Sequence, residues 1–342
     1  MKSGAREEVI RAFEAFSDRA PDFEVQELSF GHINKTYRVS NAAETYVLQR
    51  VNPLVFKNIK GVMDNMVAVS EHLKRKGYPH PVLAPVLSKK KENLVSGQWR
   101  LFPLIGPAKT YQRAQSAFQV RAAAQFIAEF YVYLQDFDWQ KLSVPIEGFL
   151  DFNRRYTDFL KHLEGADSKR IRQASPEITF LKAHRRLIDQ WEHVLTQVPQ
   201  RVIHADPKIS NFLFDREDSN RVLALIDWDT LMAGPILYDF GDMVRSYTNL
   251  KEEDDPRDAG FSEVYYRTLE QEFTRHLKGV LTPIERKNLG LGAEVVCYIQ
   301  ALRFLTDFLN RDQYYPVLWP SHNLDRTKSQ LNLLQALQER FS

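Results

Sequence analysis

The chain has almost no cysteine. Cys297 is the only one in 342 residues, so internal disulfides and thiolate metal clusters are excluded. It stands in the apolar run Val295-Val296-Cys297-Tyr298, which reads as core rather than as a reactive thiol. Net charge is also scarce. The balance of 46 basic and 44 acidic residues leaves +2, with no general pull toward nucleic acid or anionic membrane. No uninterrupted apolar run reaches the length of a membrane span. The first residues, Met1-Lys2-Ser3-Gly4-Ala5-Arg6-Glu7-Glu8, are too charged for a secretory leader, so a cytoplasmic protein is expected. Repeats and low-complexity tracts are absent. What is present is a normal 44% of hydrophobic residues, enough for one large or two modest cored domains.

The informative stretch is Val202–Thr230. One apolar run ends in His204-Ala205-Asp206 and continues to Asn211; a second, Val222–Ile226, ends in Asp227-Trp228-Asp229. The order is H-x-D-x-x-x-x-N, strand, D-x-D. Phosphoryl transfer needs positioning, Mg²⁺ and a group that takes the hydroxyl proton. Asp206, a carboxylate just past a strand, suits the proton acceptor. The Asn211 amide oxygen and the Asp227 carboxylate are hard ligands of the kind Mg²⁺ takes. Asp229 could support a second metal or its waters. His204 reads as a buried residue that holds the loop, not as a proton carrier. Asp and Asn also end strands simply as turn formers. Four of them in this order, each cluster after a strand, is harder to explain that way.

Asp227-Trp228-Asp229 after a strand also fits haloacid-dehalogenase-type phosphatases, whose first Asp is a nucleophile. Their pattern wants Thr or Val two residues past the second Asp. Leu231 stands there, Thr230 is one place early, and the motif lies two-thirds along the chain. That class would leave His204–Asn211 without a purpose.

Along the chain, Val9–Phe16 has the spacing of a short amphipathic helix. Phe23–Phe30, Tyr37–Ser40 and Thr45–Val51 read as strands, Ile59–Lys76 as a helix stopped by Gly77, then Leu94–Val95 and Trp99–Leu104 as strands. Ala117–Leu134 carries a buried stripe at Ala122, Phe126, Phe130 and Leu134. Ile146–Leu163 and Phe180–Val198 read as further helices, and helices resume from about Phe240. Lys251–Asp258 reads as a charged loop and Lys89–Lys91 as a hairpin tip.

The run VIHADPKISNFLFD and the later ALIDWDTLMAGPILYDFGD resemble the aminoglycoside phosphotransferase/choline kinase superfamily. GHINKTYRV at Gly31–Val39, YVLQRVN at Tyr46–Asn52, RFLTDFL at Arg303–Leu309 and HNLDRTKSQ at His322–Gln330 bring the resemblance nearest to N-acetylhexosamine 1-kinase-like enzymes. The resemblance implies an α+β, bilobal, protein-kinase-like fold. A small antiparallel-sheet N-lobe would span 1–105 and a larger, mainly helical C-lobe 106–342. It implies ATP and Mg²⁺, with Asp206 as base, Asn211 and Asp227 as metal ligands, and Gly31, Asn34, Thr36 and Gln49 at the nucleotide. The hairpin has one glycine, Gly31, where a G-x-G-x-x-G loop has three. Kinases also place a lysine on the third strand. Here the candidates are Gln49 and Arg50, and alternation lets only one of them face the cleft. If Gln49 does, the charge comes from elsewhere, with Lys35 as one source, and a helix carboxylate such as Glu71 is less needed as an ion-pair partner.

The acceptor pocket is expected from the C-lobe helices and the loop Asn310–Pro320, with Tyr314, Tyr315 and Trp319. Residues 303–330 hold four Lys/Arg and three Asp/Glu, too few carboxylates for a polycation. A small-molecule substrate, a neutral sugar, fits better, with His32, Asp206, Arg303 and Tyr314 as contacts and Asp242 and Arg245 nearby. Asp239 reads as structural. The expected activity is phosphorylation of the anomeric hydroxyl of an N-acetylhexosamine. The alternatives are a kinase of choline, homoserine, an aminoglycoside or methylthioribose, and a kinase-like binding protein with weak catalysis. Nucleic acid and membrane are not expected partners, and the sequence sets no oligomeric state.

Overall fold

Apolar residues on alternating positions, clearest at Tyr37 and Val39 and at Trp99 and Leu101, give the strands near the N-terminus one common apolar face. β1 (Glu24–Leu28), β2 (Lys35–Ser40), β3 (Thr45–Arg50) and β4 (Trp99–Pro103) are antiparallel neighbours in the order β1-β2-β3-β4. This is a computed structural model, and it describes residues 3–17, 23–28, 33–257 and 260–341. Asn41 turns the chain between β2 and β3, its side-chain oxygen accepting the N–H groups of Ala43 and Glu44 at 2.9 and 2.8 Å. Tyr37, Val39, Leu48, Trp99 and Leu101 share one sheet face, packed with Phe23 against Val9 and Phe13 of α1 (Ser3–Glu14). The other face carries Thr36, Val47, Gln49, Arg100 and Phe102, and looks toward the rest of the molecule.

α2 (Ile59–Arg75) joins β3 to β4, capped by Asn58, whose side chain accepts the Gly61 N–H at 2.9 Å. It is bolted to the C-terminal part by Asn65. That buried amide donates to the carbonyls of Ser143 (2.7 Å) and Leu231 (2.9 Å) and accepts the Ser143 N–H (2.8 Å). Met63, Met66, Val69 and Leu73 of α2 belong to the same apolar core as the C-terminal helices.

The C-terminal part contains α3 (Ala117–Leu134), α4 (Phe152–Glu164), α5 (Ser168–Gln173), α6 (Ser175–Ala183), α7 (Arg186–Leu195), α8 (Ile236–Tyr247), α9 (Glu263–His276), α10 (Pro283–Lys287), α11 (Leu289–Leu309) and α12 (His322–Phe341). Short strands hold the functional loops. β5 (Ala108–Lys109), β7 (Phe212–Asp215) and β8 (Val222–Leu225) form one sheet, and β6 (Arg201–Ile203) pairs with β9 (Met232–Gly234).

Most elements lie where the sequence puts them, with differences that have local causes. The helix expected over Phe180–Val198 is two, α6 and α7, because the chain turns at His184, whose ring stacks on Phe180 at 3.8 Å. The helix expected from Ile146 begins at Phe152. Left-handed Gly148 (φ 68°) precedes it, and Asp151 caps it through the Arg154 N–H at 2.9 Å. α8 starts four residues before Phe240, directly after Pro235. Leu94–Val95 is no strand; Val95 makes a lone bridge to Trp99.

α11 is long and apolar enough to cross a membrane by length and composition, yet 67% of its most apolar window is buried inside the fold. It packs against α4, α8 and α12 as the central helix. At its crossing with α8 the backbones nearly touch: a Cβ on Gly241 would sit 2.3 Å from the Gly292 carbonyl oxygen. That contact sets α8, which bears Asp239, Asp242 and Arg245, against α11, which bears Arg303. Gly241→Ala should therefore cost about 2–3 kcal/mol of stability in denaturant unfolding, whereas Gly279→Ala, with open space at its Cβ, should cost little.

Candidate active site

β6 delivers the chain into His204-Ala205-Asp206, and the turn there is unusual. Ala205 has φ 63°, the left-handed region that side chains with a Cβ avoid at a cost of roughly 1–2 kcal/mol. The fully buried Asp239 carboxylate holds it. One oxygen accepts the His204 N–H at 2.7 Å and the other the Ala205 N–H at 2.9 Å, while the Tyr131 hydroxyl donates to it as well. Burial pushes Asp239 up to about 7 against these three donors. Tyr247 and Ser246, further along α8, fix the loop's other end through the Pro207 carbonyl (3.0 Å) and the Ile209 N–H (3.0 Å).

His204 is wholly buried, and burial lowers it to about 4, so it is neutral. Its Nδ1 accepts the Asp206 N–H at 3.3 Å and its Nε2–H donates to the Ile226 carbonyl at 3.0 Å. The imidazole thus ties the base loop to the strand before Asp227.

Asp206 is partly open. Lys208 Nζ lies 2.7 Å from its Oδ2, and Asn211 Nδ2 donates to the same oxygen at 3.0 Å and to the Asp206 carbonyl at 2.8 Å. Burial would raise the Asp206 carboxyl, but Lys208 outweighs it and holds the group below the usual carboxylate range. It is ionised at neutral pH and can accept a proton. Lys208 is itself raised: burial works against its charge, and Asp206 and Asp227 more than compensate. No role for this lysine follows from the sequence analysis above; its place two residues after Asp206 was the available signal.

Asp227 follows β8 in a left-handed conformation, φ 64°. Its carboxyl is pushed upward by the surrounding protein and by the neighbouring Asp229 carboxylate. Among the described residues it has neither a hydrogen-bond donor nor a cationic side chain within ion-pair distance. Asn211 spends its amide N–H groups on Asp206, which leaves its oxygen for another partner. An uncompensated carboxylate beside a free amide oxygen fits a divalent cation held partly by phosphates. No group of three or more His, Cys, Asp or Glu side chains forms a complete metal cage among the described residues.

The second aspartate does something other than support a metal. Both Asp229 oxygens are taken: Arg100 Nη1 donates to Oδ1 at 2.5 Å and Nη2 to Oδ2 at 2.9 Å, and Asn34 Nδ2 donates to Oδ2 at 2.6 Å. Arg100 and Asp229 are each 2% exposed. Asn34 Oδ1 accepts the Asn52 N–H at 3.0 Å, so a second Nδ2–H and the backbone are what Asn34 has left for a phosphate. Gln49 lies on the cleft face with Thr36, to whose Oγ1 its Nε2 donates at 3.1 Å. Arg50 lies on the opposite face, paired with Glu8 at 3.0 Å. Lys35 alternates with Thr36 and is exposed, so the nearest strand cation on the cleft side is Arg100. Glu71 is exposed on α2. Gly31 and His32 lie outside the described residues.

A second polar cluster gathers side chains of α4, α8 and α11. Asp242 and Arg245 are paired at 2.8 Å, and Arg245 also holds Glu253 at 2.7 Å. Among the described residues Asp242 Oδ2 is buried without a partner, and so is the Tyr315 hydroxyl. Arg303 stands beside Phe149 and Tyr315, 5.6 and 5.7 Å from their ring centres, and bonds only Gln300, at 2.9 Å. Arg155 of α4 donates to the Phe149 carbonyl at 3.2 Å. Burial and the charge of Arg303 together pull Arg155 down to about 10. Neither arginine has a carboxylate within ion-pair distance among the described residues. Tyr314 is 54% exposed, edge-on to Tyr315, with its N–H and that of Tyr315 bonded to Asp307 at 2.8 and 2.9 Å. Trp319 stacks on His322 and donates to Asp325, at the start of α12. Arg155 was not anticipated; a lone arginine on a helix surface gives no sign of where it points.

The sequence profile described as "Phosphotransferase enzyme family" matches residues 24–273. Among solved structures, a microcompartment-associated aminopropanol kinase superposes with a TM-score of 0.64 at 15% identity, covering 98% of this chain and 97% of that one. Plasmodium vivax ethanolamine kinase gives 0.59 at 14%, covering 94% and 85%. A spectinomycin phosphotransferase, solved with ADP and spectinomycin, gives 0.58 at 13%, covering 98% and 94%. At these identities the likeness is one of fold: the bilobal, kinase-like α+β arrangement expected from the sequence.

Asp206→Asn keeps the size of the side chain and removes the proton acceptor. Turnover should fall about 10²–10⁴-fold while ADP affinity, read by calorimetry, stays within a few-fold. Turnover near that of the parent would remove Asp206 from the chemistry.

Proposed function

The chain belongs to the phosphotransferase enzyme family, and from that premise we propose that it transfers the γ-phosphoryl group of ATP to the anomeric hydroxyl of an N-acetylated hexosamine, giving a sugar 1-phosphate. Asp206 takes the hydroxyl proton as the new O–P bond forms. The bond from the γ-phosphorus to the bridging oxygen breaks, and ADP leaves. Asn211 Oδ1 and Asp227 would hold Mg²⁺, which when bound offsets the charge of the phosphates. Lys208 keeps Asp206 ionised. An ATP-dependent step of this kind belongs with the cell's ATP, in the cytoplasm.

The observation that carries the acceptor class is the unspent polarity of the cluster on α4, α8 and α11. Among the described residues Asp242 Oδ2 lacks a donor, the Tyr315 hydroxyl lacks a partner, and Arg155 and Arg303 lack carboxylates. Buried polar groups of this kind are costly unless a ligand completes them. A ligand that offers both hydroxyl donors and carbonyl acceptors does so. A sugar hydroxyl can donate to Asp242, and an N-acetyl oxygen can accept from Arg155 or Arg303. The rings of Phe149, Tyr314 and Tyr315 supply apolar faces. Aminopropanol and ethanolamine, named for two structural relatives, carry an amine, which two adjacent guanidinium groups would repel.

An ATP-consumption screen over N-acetylglucosamine, N-acetylgalactosamine, glucose, galactose, choline, homoserine, ethanolamine and methylthioribose tests this. ³¹P NMR should place the new phosphate on the anomeric carbon of an N-acetylhexosamine. Activity confined to an amine or amino acid would overturn it. Arg155→Ala and Arg303→Ala should each raise the acceptor KM by about 10–100-fold, the worth of one charge-assisted hydrogen bond. The KM for ATP should not change.

A further inference from the structure

Position 49, where kinases carry the strand-three lysine, holds a neutral amide whose orientation is not free. Thr36, Gln49 and Arg100 are directly opposed on β2, β3 and β4 and form one row across the cleft face of the sheet. Arginine can only donate. The oxygen of the Gln49 amide must therefore face Arg100, and it accepts from Nε at 3.1 Å and from Nη2 at 2.8 Å. The –NH₂ group is thereby turned the other way, toward β2. One of its N–H bonds reaches Thr36 Oγ1; among the described residues it has no other acceptor.

Arg100 cannot itself take the lysine's place. Its five N–H groups go to Gln49, to both oxygens of Asp229 and toward Met63 Sδ at 3.6 Å, and it is 2% exposed. Asp229 in turn belongs to the loop that carries Asp227.

We propose that Gln49 grips the nucleotide phosphates in place of a lysine through its –NH₂ edge, and that Arg100, anchored on Asp229, is the positioning residue that fixes that edge outward. The chain has replaced one mobile cation by a neutral donor locked by a buried guanidinium. The same ion pair sets the distance between the strand that grips the phosphates and the loop that presents Asp227. This rests on the reading of the cleft as an ATP site.

Gln49→Glu is the decisive variant. It keeps the shape and the oxygen that faces Arg100, and it turns only the outward –NH₂ into a carboxylate oxygen. Calorimetric affinities should separate: ADP should bind at least about tenfold more weakly, from charge repulsion at short range, while adenosine should bind within twofold of the parent. Arg100→Lys keeps the charge but not the fork, and should weaken ADP and leave adenosine unchanged. If Arg100→Lys fails to fold, Gln49→Glu decides alone. Equal affinities of parent and Gln49→Glu for ADP, or equal losses for ADP and adenosine, would overturn the proposal. A parent protein that binds neither ligand would instead overturn the ATP reading on which it rests.

Discussion

The Arg100–Asp229 ion pair crosses from the N-terminal sheet to the loop behind the catalytic strands, and both halves of the cleft are referred to it. Two nearly parallel bonds of 2.5 and 2.9 Å give it the fork geometry that arginine makes with a carboxylate. Taking two charges out of water is costly, and such pairs add little net stability. Their value is in what they position. Here the guanidinium dictates which way Gln49 faces, and the carboxylate holds Asn34 and the segment that begins with Asp227. Asn65 supplies the same service without charge, fastening α2 to the chain at Leu231. These contacts tie the N-terminal sheet and α2 to the C-terminal part of the chain.

The base side depends on a second buried carboxylate. Asp239 accepts two backbone N–H groups and a tyrosine hydroxyl, and so supports Ala205 in a conformation it would otherwise leave. Ala205 and Asp227 are both left-handed, one next to Asp206 and one just past β8. Strain of this kind persists only where the surroundings over-determine it. α8 does that work for one loop, and the Gly241–Gly292 contact with α11 fixes α8 in turn. Packing deep in the core is in this way connected to the chemistry at the surface of the cleft.

Much of this was legible before any coordinates. The order His204, Asp206, Asn211, Asp227 predicts that these residues gather, because each cluster follows a strand, and the structure joins the two loops through His204. α3 occupies Ala117–Leu134 as its apolar spacing requires. What stayed hidden depends on register and on distance along the chain. Arg100 matters because it faces Gln49 across β3 and β4, fifty-one residues later, and no local pattern announces that pairing. Asp229 looked like metal support because its partner was unknown. The bond from Asn34 to Asp229 was hidden because the two lie 195 residues apart. Arg155 and Arg303 meet only when α4 packs on α11. Helix breaks such as the turn at His184 are local decisions too close in energy for periodicity to decide.

The most direct test of the account is a double-mutant cycle on the ion pair that joins the lobes, read by equilibrium denaturant unfolding of the parent, Arg100→Leu, Asp229→Leu and the double variant. Each single change leaves a buried charge without its partner and should cost about 3–5 kcal/mol, whereas the double variant should cost markedly less than the sum of the two. Small and additive losses would contradict it, because they would mean that the two charges do not depend on each other and that the cleft is not held by their contact.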